Sequence, residues 1–288
     1  KKNIPFGGVQ VLFIGDMYQL PPVAPDAEWQ ILKEHYNSPF FFDAQVLKNT
    51  NVVYVELNKI YRQNEQQFIN LLNNVRNNTM TEYDFELLQE RYNPSFRPTH
   101  DEQYITIASH NFKADKINAD ELSQLHGEAF TFKGATEGDF SEKALPAEMQ
   151  LTLKEGAQIM FIKNDVGEDR KYYNGKIATI KSIHKDTIVV TMRDEGVDFE
   201  LKKETWENIR YQFNKDKNKI DEEIIGKYIQ YPIRLAWAIT IHKSQGLTFE
   251  KVVIDAGQSF AAGQVYVALS RCTTLAGMVL LSRISSHA

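Results

Sequence analysis

A polar stretch, 14-IGDMYQLPPV-23, directly follows the apolar run 9-VQVLF-13. Ligands of open α/β sheets bind beyond the carboxyl ends of the strands. If the apolar run is a buried strand, Gly15, Asp16 and Gln19 emerge at such a ligand-binding edge. Taken alone, the stretch is explained more simply as a strand that ends in a turn stiffened by two prolines.

A second cluster, 240-TIHKSQGLTFEKVVID-255, begins with five polar residues within six positions. It lies between the apolar 235-LAWAI-239 and a predicted strand, and Gly246 frees the backbone for the close approach of a ligand. A phosphate-facing loop explains this crowding better than a surface turn does. His242 and Lys243 alone also fit the exposed first turn of a helix.

A third cluster, 264-QVYVALSRC-272, predicts a short helix with an apolar face and with Arg271 at its C-terminal end. An arginine at that end can simply favour the helix dipole. The same side chain can act as an arginine finger, which stabilises the charge that develops on a transferring phosphoryl group.

The segments around these clusters alternate between strand and helix patterns, which is typical of an α/β protein. Strands are predicted at residues 9–14 and 52–57, and an amphipathic helix at 65–77 with Asn64 as its N-cap. The remaining predicted elements are helices at 82–91 (capped by Thr81), 114–125 and 262–271, and strands at 104–108, 252–255 and 278–282.

Residues 151–228 have a different pattern, in which short predicted strands are separated by turn signals such as Asn174-Gly175. This pattern predicts a small β-barrel between two α/β parts. The charged run 214-NKDKNKIDEE-223 is interpreted as a solvated loop of that barrel. The strands predicted in this region are at 157–163, 177–183, 188–192 and 197–201.

Composition sets the limits on what this chain can be. A chain of 288 residues with 42% apolar and 25% charged residues is expected to form two or three packed units. We find no long apolar span or signal peptide, so we expect no membrane partner and a cytoplasmic, nuclear or mitochondrial location. The single cysteine, Cys272, excludes an intrachain disulfide and a thiolate zinc site, and we predict no bound structural metal. A net charge of −5 argues only weakly against nucleic acid, because a local groove suffices.

Together and in this order, the clusters resemble the Pif-type helicases, the RecD-related 5′→3′ branch of the superfamily-1 DNA helicases. The segment 5-PFGGVQVLFIGDMYQLPPV-23 resembles their motif III, and 60-IYRQ-63 resembles motif IV. The segment 240-TIHKSQGLTFEKV-252 resembles motif V, and 266-YVALSRCTTLAGMVLLS-282 resembles motif VI. The resemblance covers nearly the whole chain.

The resemblance implies an α/β fold built from RecA-like helicase domains. Residues 1–100 would end the first RecA-like domain, and 101–150 with 231–288 would form the complete second one. Residues 151–230 would form an inserted SH3-like β-barrel, because 156-GAQIMFIKND-165 and 173-YNGKIATI-180 resemble the start of that insert.

The resemblance also implies roles for individual residues. Gln19, Arg62 and Arg271 would contact the γ-phosphate and take part in catalysis. Other residues that would line the nucleotide cleft are Gly15, Asp16, Gln245 and Gly246. Residues that would contact single-stranded DNA are Thr240, His242, Lys243 and Ser244, together with Tyr172, Tyr173 and Lys176 of the insert. The insert residues fit ordinary positions on a barrel surface equally well, and Tyr18 fits either base stacking or core packing.

The chain contains no P-loop, whose pattern is G-x-x-x-x-G-K-[ST]. The nearest match, Gly175-Lys176, has Arg170 in place of the first glycine and Ile177 in place of the hydroxyl residue. Asp194-Glu195 is rejected as a Walker B pair because it lies in the predicted barrel. We therefore expect a helicase fragment that cannot hydrolyse ATP alone, with the P-loop and Walker B acid for ATP and Mg²⁺ located upstream.

The expected partners are single-stranded DNA and forked duplex DNA, bound by a monomer. Two alternatives remain open. One is a single-stranded-DNA-binding remnant of a helicase that has lost its motor, although γ-phosphate sensors would serve no purpose there. The other is a RecD-like subunit of an exonuclease complex, which the extended motif III fits less well.

Overall fold

The computed structural model describes residues 4–22, 24–48, 50–99, 102–185, 187–192, 195–214, 219–255 and 263–284. Its helices are α1 (Asp26–Leu32), α2 (Gln66–Asn77), α3 (Glu82–Glu90), α4 (Asn111–Gln124), α5 (Ile241–Ser244) and α6 (Gln264–Leu269). Its strands are β1 (Ile105–Ala108), β2 (Phe130–Lys133), β3 (Ala135–Gly138), β4 (Gln150–Leu153), β5 (Gln158–Phe161), β6 (Ile177–His184), β7 (Thr187–Met192), β8 (Val197–Leu201), β9 (Glu204–Asn214), β10 (Lys219–Gln230), β11 (Ile233–Leu235), β12 (Ala238–Thr240), β13 (Val252–Asp255) and β14 (Met278–Leu280). Among the described residues, no helix has the length and apolar composition that crossing a membrane requires.

A four-stranded parallel sheet, ordered β12-β1-β13-β14, forms the α/β part of the structure. The predicted strands at 104–108, 252–255 and 278–282 are confirmed as β1, β13 and β14. All four residues of β1 are buried, as expected for a parallel strand covered on both faces. Because the strands run in one direction, their carboxyl ends share one edge, where Thr240 and Asp255 lie.

The helices predicted at 65–77, 82–91 and 114–125 are confirmed as α2, α3 and α4. Thr81 caps α3 as predicted, and Asp84 completes a capping box by accepting a hydrogen bond from the Thr81 backbone N–H at 2.7 Å. The predicted cap of α2 is wrong, because Glu65 rather than Asn64 occupies the N-cap position and no side chain caps it.

One hydrophobic core joins α2 and α3 to the parallel sheet. Phe68 of α2 and Leu87 of α3 are buried in the same core as Ile107 of β1. The last third of residues 1–100, which are predicted to end the first domain, therefore shares a core with the parallel sheet, against which the apolar face of α2 packs.

A five-stranded antiparallel sheet, ordered β11-β5-β6-β7-β8, encloses a second core. The four strands predicted in this region are confirmed as β5, β6, β7 and β8. Along β7, Ile188, Val190 and Met192 are buried while the residues between them are half-buried. This alternation is typical of a sheet with one face toward a core.

β9 and β10 form a long antiparallel ribbon, and β3 pairs with its inner part. The solvated loop predicted at 214–223 is wrong at its C-terminal end, which belongs to β10, and its residues 215–218 lie outside the described residues. The charged run gives no clear strand pattern, because Glu222 lies on the same face of β10 as Ile220 and Ile224.

Strand pairing also moves the boundary of the antiparallel part. β2 pairs with β4, and β3 pairs with β10. The boundary predicted between residues 150 and 151 would separate these paired strands. Phe132 also packs in the second core with Leu151. The antiparallel part therefore begins near Phe130, because β2, its first strand, forms its hydrogen bonds with β4.

The strands predicted at residues 9–14 and 52–57 are wrong for the described structure, in which both runs are irregular and lie outside any sheet. Their apolar side chains are exposed, with relative exposures of 80% for Leu12, 86% for Ile14 and 87% for Val53. The composition suits a buried strand, but a strand requires a neighbour for its hydrogen bonds, and no described strand lies beside these runs.

Candidate nucleotide and nucleic-acid site

The loop after residues 9–14 folds around the Asp16 carboxylate. Asp16 Oδ1 accepts a hydrogen bond from the Tyr18 backbone N–H at 3.0 Å, and Oδ2 accepts one from Gln19 Nε2 at 3.2 Å. Aspartate is suited to this position because its short side chain bonds to the backbone two residues on. The turn holds the Gln19 side chain close to the carboxylate.

The second cluster meets this loop through Gln245. Gln245 Nε2 donates a hydrogen bond to Gln19 Oε1 at 3.2 Å, across 226 residues of sequence. Gly246 has a left-handed φ of +82°, and a Cβ added at Gly246 or at Gly15 would meet no heavy atom within 4 Å. The cleft residues expected from the sequence therefore lie beside open space, where a ligand has room.

Arg62 reaches the third cluster from the chain segment just before α2. Its Nε donates to Thr248 Oγ1 at 2.9 Å, and its Nη1 donates to the Ser270 carbonyl at 3.1 Å. Arg271 bonds the other side of Ser270, since its Nη2 donates to Ser270 Oγ at 2.8 Å. The two guanidinium groups therefore meet around one serine, although the residues are far apart in sequence.

Arg271 is only 1% exposed and is turned into the protein. Its Nε donates to the Val267 carbonyl at 2.9 Å, and its Nη1 donates to the Leu247 carbonyl at 3.2 Å. The helix predicted at 262–271 is confirmed over α6, with residue 262 outside the described residues. The sequence predicted an Arg271 aimed at a ligand, whereas the structure shows it bonded to the carbonyls around the third cluster.

The electrostatics around the two arginines favour an anion. Burial, and then the charge of Arg62, lowers the pKa of Arg271 to about 10, and burial lowers the pKa of Arg62. Both groups remain cationic at neutral pH, and neither forms an ion pair with a described residue. Guanidinium groups bind phosphate oxygens through charge-assisted hydrogen bonds, so the residues present fit the terminal phosphates of a nucleotide.

Gln63 has a structural role here that the sequence did not indicate. Its side chain is 5% exposed, and its Nε2 donates to the carbonyls of Ser270 at 3.3 Å and Cys272 at 2.8 Å. These bonds tie the segment that carries Arg62 to the end of α6. The sequence offered one signal, the position of Gln63 directly after Arg62 in 60-IYRQ-63.

The four DNA contacts predicted at α5 and its N-cap form two pairs that differ in burial. Thr240 is the N-cap and accepts from the Lys243 backbone N–H at 3.4 Å, while Ser244 Oγ donates to the Ile241 carbonyl at 2.8 Å. Both hydroxyl groups are buried and used within the helix, and the phosphate contacts of Thr240 and Ser244 stay a prediction. The side chains of His242 and Lys243 are exposed, and their contacts with nucleic acid stay a prediction as well.

The three DNA contacts predicted in the insert also differ in exposure. Tyr172 is 8% exposed and stacks on Phe161 with a centroid separation of 4.1 Å, so it packs in the core. Burial and the nearby Glu204 raise the pKa of Tyr172. Lys176 is 9% exposed and forms an ion pair with Glu195 at 2.9 Å. The DNA contacts of both residues stay predictions. Tyr173 is 59% exposed, and its ring is available for stacking.

The turn that carries Tyr173 packs against the loop that follows α5. Gly175 has a φ of +95°, and a Cβ added there would lie 2.8 Å from Leu247 Cδ2. Glycine suits the left-handed backbone, and any larger residue would also have to displace the end of the Leu247 side chain. The contact keeps Tyr173 near the segment that contains His242 and Lys243.

A cavity of about 360 Å³ borders this surface between α4, β11 and α5. Its lining includes Lys243, Arg234 and Glu148. Arg234 Nη2 donates to the Pro146 carbonyl at 3.2 Å, and burial lowers its pKa. No group of His, Cys, Asp and Glu side chains within the described ranges is arranged to hold a metal ion.

Comparison with protein families identifies two matching segments. Residues 1–86 match the PIF1-like helicase family, and residues 235–279 match the UvrD-like helicase C-terminal domain. The first segment contains Asp16, Gln19 and Arg62, and the second contains Gln245 and Arg271.

Individual relatives match over nearly the whole chain. An ATP-dependent DNA helicase Pif1 from Psychrobacter is 32% identical over 331 residues, covering 96% of this chain and 48% of the relative. A structure of Bacteroides Pif1 in complex with ADP-AlF4 is 42% identical, with a TM-score of 0.86, 99% of this chain covered and 65% of that chain. A structure of Bacteroides Pif1 bound to ssDNA is 41% identical over the same shares of both chains, with a TM-score of 0.71. The chain thus spans about half to two thirds of these relatives' lengths.

Proposed function

Because the chain belongs to the PIF1-like helicase family, we propose that it forms part of an ATP-dependent DNA helicase that moves 5′→3′ along single-stranded DNA. The observation that carries this proposal is that Arg62 and Arg271, which are far apart in sequence, both bond to Ser270. Gln19 bonds separately to Gln245, which follows α5.

In this proposal the chain supplies the side of the nucleotide site that contacts the terminal phosphates of ATP. The Gln19 amide and the Arg62 guanidinium, both half-buried, would bind the γ-phosphate. Arg271 would act as an arginine finger after exchanging its bonds to the carbonyls of Val267 and Leu247 for bonds to phosphate. The bound nucleotide with Mg²⁺ would supply the phosphoryl group that is transferred to water.

The remaining nucleotide contacts require a P-loop, which the 288 residues do not contain. We therefore propose that this chain by itself does not hydrolyse ATP. In the complete protein, the P-loop and a Walker B carboxylate would hold the other phosphates and the metal ion.

The proposed path for single-stranded DNA runs over His242, Lys243 and Tyr173. The charge of Lys243 would bind backbone phosphates, and the exposed ring of Tyr173 would stack on a base, as aromatic side chains do without sequence preference. Thr240 and Ser244 would support this path by capping and closing α5, and Tyr172 and Lys176 would support the turn that carries Tyr173.

The packing supports a revised division of the chain. We propose that the first RecA-like domain ends near Arg62 and that α2, α3 and the parallel sheet belong to the second. The antiparallel part from Phe130 to about Ile233 would be the SH3-like insert. Its turn at Gly175 contacts Leu247, which gives the insert a direct contact with the proposed DNA path.

A strand-displacement assay on forked duplex DNA tests the proposed function. The product of the complete reading frame, acting as a monomer, should unwind a duplex with a 5′ single-stranded tail in the presence of ATP and Mg²⁺. A duplex with only a 3′ tail and a reaction with a non-hydrolysable ATP analogue are the controls. Unwinding from the 3′ tail would contradict the polarity, and binding without any unwinding would support a DNA-binding remnant without a motor.

A further inference from the structure

The Asp16 carboxylate receives hydrogen bonds from two distant helices as well as from its own loop. Arg76 Nη2, near the end of α2, lies 3.3 Å from Asp16 Oδ1, and the Tyr266 hydroxyl of α6 donates to Oδ2 at 3.3 Å. With the bonds from Tyr18 N–H and Gln19 Nε2, the carboxylate has four donors. A carboxylate accepts about four hydrogen bonds, so its capacity is filled.

These bonds fix the orientation of the Gln19 amide. Its Nε2 points to Asp16 Oδ2 at 3.2 Å, which leaves its Oε1 to accept from Gln245 Nε2 at 3.2 Å. The segment before Asp16 offers no rigid support, since residues 9–15 are exposed and lie outside any described sheet. The direction of the amide therefore depends on how firmly Asp16 itself is held.

Arg76 has a second contact that acts on the same loop. Its guanidinium carbon lies 4.5 Å from the centroid of the Tyr18 ring, which is a cation–π distance. Tyr18 lies between Asp16 and Gln19 in sequence, so one guanidinium holds both the carboxylate and the ring. The phenol of Tyr266 stays protonated at neutral pH, because burial and the Asp16 charge raise its pKa.

We propose that Arg76 and Tyr266 are positioning residues that hold the Asp16 carboxylate and, through it, the Gln19 amide that senses the γ-phosphate. This proposal rests on the proposed function. Neither residue touches the nucleotide, and each acts through Asp16. Because Arg76 is on α2 and Tyr266 on α6, a displacement of either helix changes the direction of the amide.

The test uses ATP hydrolysis by the product of the complete reading frame. Tyr266→Phe removes one hydroxyl and Arg76→Met removes the charge, and each should lower kcat about ten- to a hundredfold with little change in the KM for ATP. Arg76→Lys should recover part of the loss. Because both residues act through Asp16, the double variant should lose little more than Arg76→Met alone.

The matched controls are Tyr83→Phe on α3 and Arg210→Met on β9, both exposed side chains with no contact to Asp16. Unfolding midpoints of all variants separate positioning from loss of stability. The proposal is overturned if Tyr266→Phe and Arg76→Met match the controls while Gln19→Ala lowers kcat, or if the two losses simply add. Absence of turnover in the unsubstituted protein would instead contradict the proposed function.

Discussion

Arg271 keeps its positive charge although its side chain is buried. Its guanidinium donates to backbone carbonyls, which neutralise a positive charge less well than a carboxylate would. Burial lowers its pKa to about 10, so it is charged at neutral pH and available to an incoming phosphate. Its bonds to Val267 and Leu247 also make it a link between α6 and the loop after α5. The residue therefore combines a structural role with the proposed catalytic one.

Replacement of Arg271 by alanine in the complete protein should lower ATP turnover by about 10³-fold or more, as for other arginine fingers. Affinity for single-stranded DNA should change little, because Arg271 is not on the proposed DNA path. ATPase assays and fluorescence anisotropy with a labelled oligonucleotide measure the two effects. Equal loss of turnover and DNA affinity would sink the finger assignment, and the same substitution in this chain alone should leave DNA affinity unchanged.

Lys243 and Ser244 are neighbours with different predicted roles. Lys243→Met should weaken binding to all single-stranded sequences alike and reduce the slope of log affinity against log salt by about 0.7, the value for one phosphate contact. Ser244→Ala should leave that slope unchanged, because the hydroxyl bonds to the Ile241 carbonyl. Titrations at several salt concentrations measure both, with Lys48→Met as the control. An unchanged slope for Lys243→Met would exclude the contact.

At the residue scale, the sequence predicted the types of side chain better than their directions. The proximity of Gln19 to Gln245 and of Arg62 to Arg271 followed from family resemblance rather than from spacing. The uses of Thr240, Ser244 and Tyr172 within the fold were not predictable. A serine or threonine looks the same in a sequence whether its hydroxyl caps a helix or binds a phosphate. Only the burial of the side chain in the structure distinguishes the two uses.

Elements differ in how fully their local sequence determines them. The capping box of α3 was predictable at Thr81, because the residue stands just before an amphipathic pattern. The strands β1, β13 and β14 were equally clear, since continuous apolar runs suit a buried parallel sheet. The runs at 9–14 and 52–57 have the same composition but no strand beside them, so local pattern alone did not determine their state.

Thr81→Ala should lower the free energy of unfolding by about 1 kcal/mol, the usual cost of losing a helix cap. Burial raises the pKa of Asp84, but hydrogen bonds from Thr81 and Asn74 outweigh it, and the pKa lies below its ordinary value. The contribution of this carboxylate is therefore complete above the ordinary aspartate pKa and is lost as the pH falls through the lowered one.

Urea unfolding at neutral and acid pH measures the capping effect. The difference between the unsubstituted chain and Asp84→Asn should narrow as the pH falls. Thr136→Ala, at an exposed position of β3, is the control for loss of a threonine outside a cap. A cost for Asp84→Asn that grows toward acid pH would show that the charged form does not stabilise α3.

Gly175 joins the antiparallel part to the proposed DNA path. Gly175→Ala introduces a Cβ at 2.8 Å from Leu247 Cδ2 and should cost about 1 kcal/mol more than Gly196→Ala, which has a φ of +63° but no neighbour within 4 Å. The added variant Leu247→Ala should restore part of the loss. Urea unfolding of the four proteins measures these differences, and equal costs at the two glycines would show that the contact is unimportant.

The whole molecule contains two cores, one around the parallel sheet and one inside the antiparallel part. The alternation of α/β and β patterns predicted this division, but the boundaries depended on pairings between distant segments. β2 with β4 and β3 with β10 were not visible in the sequence, because their short runs carry no sign of a partner. The ribbon of β9 and β10 was missed for a different reason, because its two long strands are rich in charged and polar residues.

The exposed apolar runs at 9–14 and 52–57 lie outside both cores, while the loop that follows the first run places Asp16 in hydrogen-bonding contact with Tyr266 of α6. The proposed nucleotide site thus lies at a junction between this loop and the core around the parallel sheet, to which α6 belongs. In our proposal, a ligand at this junction would influence both the parallel sheet and the proposed DNA path.

ATP hydrolysis with and without single-stranded DNA, measured on this chain beside the product of the complete reading frame, shows whether the chain is part of a helicase motor. We expect no turnover by the 288-residue chain and DNA-stimulated turnover by the longer product. Turnover by this chain alone would contradict the proposal that a P-loop outside it is required. If neither protein hydrolyses ATP while both still bind single-stranded DNA, the assignment of a helicase motor is contradicted.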